Sequence, residues 1–254
     1  MVPTVIETLD LASATTTQLA RLRDLVANDG FCLVPGQRLG PVELDDLAVR
    51  FGSPLFTPGE SPLPGHRYVF EVTNRGRTTT PRSVFHADTT YIPSPPAITA
   101  LAAVEVPRQG GETLIIDQYA TAACASGQLL ADLDGVEVLH VASRVSSPDE
   151  AGSGAWHPAL HRHPVTDRPA LLLTARERLA GARRHRQRLH PDEEVALLDR
   201  LHRHATEAVA PYVHRWRSGD VLFIDNRCTL HAADHARVDG HRTLHRVMFG
   251  AAGP

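Results

Sequence analysis

Lysine is absent from this chain of 254 residues, so all 26 basic side chains are arginine. That excludes Schiff-base chemistry and the phosphate-binding lysine of a P-loop. Cysteine is scarce. Cys32, Cys124 and Cys228 lie far apart with no Cys-x-x-Cys, which argues against a disulfide scaffold and against a cysteine-type zinc site. The formal charge of −3 leaves no basic field that would call for nucleic acid or an anionic membrane. No apolar run approaches the ~20 residues of a membrane span. The first ten residues also lack the basic and then apolar pattern of a signal peptide. Together these absences point to a reduced, soluble, cytoplasmic protein. The 42% apolar content is enough for a chain of this length to bury a core without staples. Histidine is what stands out, at 15 residues, and it makes metal or acid–base chemistry the first thing to test.

Local signals place the elements. Thr15 to Thr17 supply caps before Leu19, Leu22, Leu25 and Val26, a helical spacing that stops at Gly30. The apolar run Phe31–Val34 reads as a buried strand, and Pro41 opens a second helix that ends near Gly52. Residues 53–66 are dense in proline and glycine and read as a long loop. Strands are expected at 68–72, 98–106, 113–116, 136–141, 171–174, 221–224 and 244–249. Helices are expected at about 118–132 and 192–209, the second amphipathic through Val195, Leu198, Leu201 and Ala205. Short strands with early and inserted helices suggest a mainly β jelly-roll or sandwich core flanked by helices. With no repeat or linker, residues 1–254 read as one domain, with a helical part at about 1–52 and a core at about 67–250.

Two His-x-Asp triplets occur, His86-Ala87-Asp88 and His190-Pro191-Asp192, and a chain this rich in His and Asp produces such triplets by chance. The second sits where a helix begins, and Asp192, Glu193 and Glu194 there complement the helix dipole, a sufficient structural role. The first lies in a β-type neighbourhood, where side chains at 86 and 88 share one face of a strand. A third ligand is then needed, and His231, just past the strand at 221–224, is the candidate. Two histidines and one carboxylate form the facial triad of non-haem iron(II) oxygenases, which keeps coordination positions open. The locally basic Arg183–Arg188 lacks the interleaved aromatics of a nucleic-acid patch and reads as a solvated loop near the site mouth. Trp216 and Phe223 read as core.

His86-Ala87-Asp88-Thr89-Thr90-Tyr91, Pro95-Pro96 and Gly110-Gly111-Glu112-Thr113 occur in that order. They are followed by His157-Pro158 and His163-Pro164, and by Tyr212, His214, Trp216 and Gly219-Asp220. The tail runs through Asp225-Asn226-Arg227 to His231, and then through His241-Arg242 to His245-Arg246. This ordered set resembles the taurine dioxygenase / TfdA-type iron(II)- and 2-oxoglutarate-dependent dioxygenases over roughly residues 20–250. The resemblance implies a double-stranded β-helix, a cupin-like jelly roll. It carries His86, Asp88 and His231 over as ligands of Fe(II). It sets Arg246 and Thr113 on the distal carboxylate of 2-oxoglutarate, with Arg242 as a second arginine nearby, a guanidinium being suited to bidentate carboxylate binding.

The implied reaction consumes dioxygen and 2-oxoglutarate, releases succinate and carbon dioxide, and hydroxylates an unactivated C–H bond. Because the carboxylate ligand Asp88 is present, halogenation is disfavoured. Desaturation, cyclisation and fragmentation use the same ligands. Position 82 is Arg where the taurine enzymes use another polar residue, which points away from taurine. Arg82, Tyr68, Tyr91 and Arg178 are candidate lining residues for a carboxylate-bearing small molecule, such as an amino acid or a natural-product intermediate. The family also suggests a homo-oligomer. Two other readings stay open at this stage: a zinc hydrolase on the same triad, and a non-catalytic jelly-roll binding protein.

Overall fold

A computed structural model describes residues 3–57, 59–76, 84–142 and 154–251. In chain order the elements begin with β1 (Thr4–Val5), α1 (Thr16–Asp29), β2 (Phe31–Val34), α2 (Pro41–Phe51), β3 (Pro54–Leu55) and β4 (Phe70–Thr73). There follow β5 (Ile98–Glu105), β6 (Thr113–Asp117), α3 (Gln118–Ala123), α4 (Gly127–Asp132), β7 (Val136–Val141), β8 (Gly154–Pro158), β9 (Leu160–Arg162) and β10 (Pro169–Leu171). The chain ends with β11 (Leu179–Arg184), β12 (Gln187–Arg188), α5 (Pro191–Glu207), β13 (Tyr212–His214), β14 (Val221–Asp225), β15 (Thr229–Ala233) and β16 (Thr243–Phe249). Among the described residues no helix is long and apolar enough to cross a membrane.

Two of the four sheets formed by the described residues face each other, the other two being β12-β11-β7-β8 and β10-β9. Of the facing pair, the larger has the order β1-β2-β14-β5-β16-β3, with β4 also on β16, and the smaller is β13-β6-β15. Strand alternation decides what each face meets. On β5 and β14, Ile98, Ala100, Val221 and Phe223 turn outward to a cluster built with α1 and α2. Leu101, Leu222 and Ile224 turn inward to meet Ile115 of β6 and Trp216. The smaller sheet repeats the pattern. Ile116 and Leu230 face outward to a third cluster that includes Leu198 and Leu201 of α5, while their paired neighbours Ile115 and His231 belong to the inner side. This is the expected jelly-roll core with flanking helices, and the chemistry-bearing residues lie between its sheets.

Most predicted elements appear within a residue or two, α1 with a Thr15–Gln18 capping box and a left-handed Gly30 at its end. The helix expected over 118–132 is two helices, because Asp117 and Ser126 each cap a separate start. The strand expected at 171–174 ends at Leu171. His86 occupies no regular strand; it makes a single antiparallel bridge to His231, and Thr89 then turns through a positive φ of 52°. His190-Pro191-Asp192 does open α5. The basic run is a hairpin rather than a solvated loop: β11 pairs with β12, Arg183 binds Glu137 at 2.8 Å and lies over Trp156, and Arg184 reaches Glu193.

His140 on β7 is buried, and neither ring nitrogen has a hydrogen-bond partner among the described residues. Burial, with a smaller push from His157, lowers its pKa from 6.5 to about 3. The unfolded chain therefore takes up a proton that the folded chain refuses, and stability falls as the pH drops through that interval. The contribution is at most about 1.4 kcal/mol per pH unit. His140→Leu is expected to flatten the acid side of a urea-unfolding profile between pH 6.5 and 4. An unchanged slope would show that His140 is charged, or hydrated, in the folded state.

Candidate metal centre

The bridge between His86 and His231 consists of two backbone hydrogen bonds. His86 N donates to His231 O at 3.0 Å, and His231 N donates to His86 O at 2.8 Å. It brings the two imidazoles to a centroid separation of 4.5 Å, and Asp88 enters from the turn that follows. Asp88 Oδ1 lies 3.5 Å from His86 Nε2 and 3.8 Å from His231 Nε2. The three groups each offer a ligand atom within 4.8 Å of the others. The Nδ1–H of His86 donates to Val84 O at 2.9 Å, which leaves the Nε2 lone pair facing the carboxylate, the arrangement that orients a metal-binding imidazole.

The electrostatics leave Asp88 ionised and His231 neutral, the states in which each can bind a metal. Burial opposes ionisation of Asp88, but His231, His86 and Arg246 outweigh it and hold the carboxyl well below the usual range. Burial pushes His231 down to about 4, so its imidazole is neutral and its lone pair is available. In His86 burial also opposes the charged form, but the neighbouring Asp88 prevails and raises it. A dication bound here would supply the positive charge that this carboxylate faces.

A cavity of about 100 Å3 opens beside the triad, lined by His86, Asp88, His231, Thr113, Arg242 and Arg246. Arg242 is 2% exposed. Its Nε donates to Gly111 O at 2.8 Å, and its Nη2 donates to Thr113 Oγ1 at 3.0 Å. Trp216 Nε1 donates to the same hydroxyl at 3.1 Å. Thr113 Oγ1 thus accepts twice, and its own O–H is left to donate to something else. Burial brings Arg242 down to about 10, so it stays charged at neutral pH. No carboxylate among the described residues pairs with it. A larger recess of about 230 Å3 beside Phe51 and Phe249 lies on the helix side of the large sheet. Its Arg227 is committed to Asp225, and its Arg23 to the carbonyl of Phe51.

The other predicted residues separate. Arg246 shares the cavity, but its Nη2 binds Glu60 and Thr57 of the proline-rich loop; it is Arg242 that touches Thr113. Tyr91 follows the triad, and burial, then the nearby Glu60, raises its hydroxyl pKa. The charge of Arg178 is felt at both His86 and Tyr91. Tyr68 packs elsewhere, against the helix-side cluster and 5.6 Å from the Phe56 ring. Asp45 of α2 takes the Tyr68 and Arg67 amides and holds that turn on the helix side. Arg82 lies outside the described residues. Sequence reasoning gave no role to Thr99, Asn226 or Glu60. For Thr99 the available signal was a hydroxyl at an inward parity position of an apolar strand.

A second cluster, His163, Asp225 and Cys228, also has ligand spacing. Both oxygens of Asp225 are occupied, by Arg227 and by His163, and burial holds the Cys228 thiol well above its usual range. It is a structural network.

The family model for the taurine catabolism dioxygenase TauD, TfdA family matches residues 3–248. The chain belongs to that family. Among relatives of this TauD/TfdA chain, the alpha-ketoglutarate-dependent 2,4-dichlorophenoxyacetate dioxygenase of Cupriavidus pinatubonensis is 30% identical over 175 residues, 65% of this chain and 58% of that one. Pentalenolactone F synthase of Streptomyces arenae is 30% identical over 189 residues, 65% of this chain and 60% of that one. The chain spans between 44% and 60% of the length of the first curated relatives it matches. The structure of a taurine dioxygenase from Burkholderia xenovorans superposes with a TM-score of 0.81 at 25% identity, covering 97% of this chain and 86% of that one.

Mn(II) binding measured by electron paramagnetic resonance tests the centre. His86→Ala, Asp88→Ala and His231→Ala are each expected to weaken it by more than about tenfold. Any of the three that binds Mn(II) like the parent is removed from the ligand set.

Proposed function

We propose that this chain is an iron(II)- and 2-oxoglutarate-dependent dioxygenase that hydroxylates an unactivated C–H bond of a small carboxylate-bearing molecule, such as an amino acid or a natural-product intermediate. One observation carries the reading: a His–Asp–His set and a buried arginine with no carboxylate partner among the described residues line the same cavity. A buried unpaired charge costs several kcal/mol, and a dianionic keto acid spanning from the metal to Arg242 would relieve that cost. A hydrolase on the same triad would give Arg242 and Thr113 no work.

In this reading His86, Asp88 and His231 hold Fe(II). The iron, when bound, supplies dioxygen activation coupled to oxidative decarboxylation of 2-oxoglutarate to succinate and carbon dioxide. The protein supplies the rest. Arg242 takes the distal carboxylate through its guanidinium, and Thr113, already accepting from Arg242 and Trp216, donates its free O–H to the same carboxylate. This moves to Arg242 the role that the family resemblance gave to Arg246. Arg246, set beside the loop and bound to Glu60, meets the substrate's own anionic group, and Tyr91 and Arg178 stand on that side. Val72, Leu101 and Leu244 form an apolar wall that keeps water from the reacting C–H bond.

Three measurements test this. Anaerobic Fe(II) with 2-oxoglutarate is expected to give a visible charge-transfer band that neither gives alone, and succinate release is then screened against small carboxylates. Arg242→Ala is expected to raise the 2-oxoglutarate requirement about tenfold to a hundredfold, the loss of a charge-assisted hydrogen-bonded pair, with a smaller effect on the substrate requirement. A stronger effect on 2-oxoglutarate from Arg246→Ala would reverse the assignment.

A further inference from the structure

The Asp88 carboxylate has two oxygens, and only one faces the imidazoles. The other, Oδ2, accepts a hydrogen bond from Thr99 Oγ1 at 2.7 Å. Thr99 is fully buried on the inward face of β5, paired with Ile224 of β14 and Met248 of β16. The direction of that bond is fixed from behind, because Asn226 Nδ2 donates to Thr99 Oγ1 at 2.9 Å. An ionised carboxylate can only accept, so the single hydroxyl proton of Thr99 goes to Oδ2. Asn226 is in turn oriented by Asp88 itself, whose backbone N–H donates to Asn226 Oδ1 at 3.1 Å. The backbone of Asn226 is anchored by a bond to Ala97 O at 2.9 Å. The loop is closed: Asn226 sets Thr99, Thr99 sets Oδ2, and the Asp88 amide sets Asn226.

We infer that Thr99 and Asn226 are positioning residues that hold Asp88 to the metal through Oδ1 alone. The inference rests on the proposed metal centre and deepens it. A carboxylate free to swing can offer both oxygens to a metal and so occupy an extra coordination position. A facial triad needs three positions open, and a chelating keto acid with dioxygen would use all three. By tying up Oδ2, the Thr99–Asn226 pair keeps one of those positions from being filled by the protein. Neither residue lines the cavity or reaches a reacting atom, so the role is indirect.

The test uses the full chain loaded anaerobically with Co(II), whose visible d–d bands report coordination number, followed by titration with 2-oxoglutarate. Thr99→Val keeps the shape and removes the O–H. Its Co(II) bands are expected to shift in position and intensity, and its affinity for 2-oxoglutarate to fall by about tenfold or more. Thr99→Ser is expected to restore both, and Asn226→Ala to move both in the same direction as Thr99→Val. If Thr99→Val fails to fold, Thr99→Ala supplies the same comparison. A merely structural Thr99 would lower the thermal midpoint and leave the bands and the 2-oxoglutarate affinity at parent values, and that result overturns the inference. If the parent chain binds no Co(II), or binds it equally well after His86→Ala, the metal centre itself fails and the inference with it.

Discussion

Everything at the candidate centre depends on two backbone hydrogen bonds. Among the described residues the segment that carries His86 belongs to no strand, and the reciprocal bridge with His231 ties its backbone to the smaller sheet. β15 is itself paired to β6 along its length. Register on β15 therefore decides which face His231 takes, since a slip of one residue would turn it outward and bring Leu230 inward. The pairing Leu230 with Ile116 and His231 with Ile115 fixes that choice, because Ile116 and Leu230 are already committed to the outer apolar cluster. A hydrophobic decision on one face of the sheet thus delivers an imidazole to the other.

The same sandwich then tolerates two opposite charges in its interior. Asp88 and Arg242 both line the cavity, but their surroundings differ. Asp88 has imidazoles and a threonine hydroxyl around it, while Arg242 has a carbonyl, a hydroxyl and the face of Trp216 at 5.7 Å. These are neutral partners, which take two of the guanidinium's hydrogen bonds without cancelling its charge. In the proposed reading, the distal carboxylate of the keto acid supplies the counter-charge that Arg242 lacks among the described residues. Arg246 contrasts with it. Its partner is Glu60, a carboxylate on an irregular, half-exposed loop, so its charge is already paired within the chain.

Much of this was legible in the sequence, for identifiable reasons. Helices α1 and α2 announce themselves through caps and apolar spacing, and the inner strands through short β-branched or apolar runs between turns. The triad was readable because the spacing of His86 and Asp88, and the ordered motifs after them, are specific as a set. What failed was local geometry that depends on partners. A strand over His86–Asp88 was the natural expectation, but the backbone leaves β geometry at Thr89. Arg242 and Arg246 share a strand face in any register, and only the position of Thr113 on β6 tells which of them it touches. Tyr68 was misplaced because its neighbour Asp45 lies on α2, a contact with no trace in local spacing. Glu60 and Thr57 sat in a loop with no periodic signal at all.

The two His/Asp clusters show why residue type alone does not identify a metal centre. His86, Asp88 and His231 resemble His163, Asp225 and Cys228 in composition and in spacing. The difference lies in what else reaches the carboxylate. Arg227, next but one to Asp225, folds back to grip both of its oxygens, and His161 holds Arg227 through its carbonyl. A cation is already present there, covalently supplied by the chain, so there is no place for a second. At Asp88 no arginine arrives within hydrogen-bond distance among the described residues, and one oxygen is left facing two imidazoles. The clamped cluster in turn frames the turn that carries Asn226. The chain has thus used one acidic cluster, sealed by its own guanidinium, to build the frame that leaves the other open.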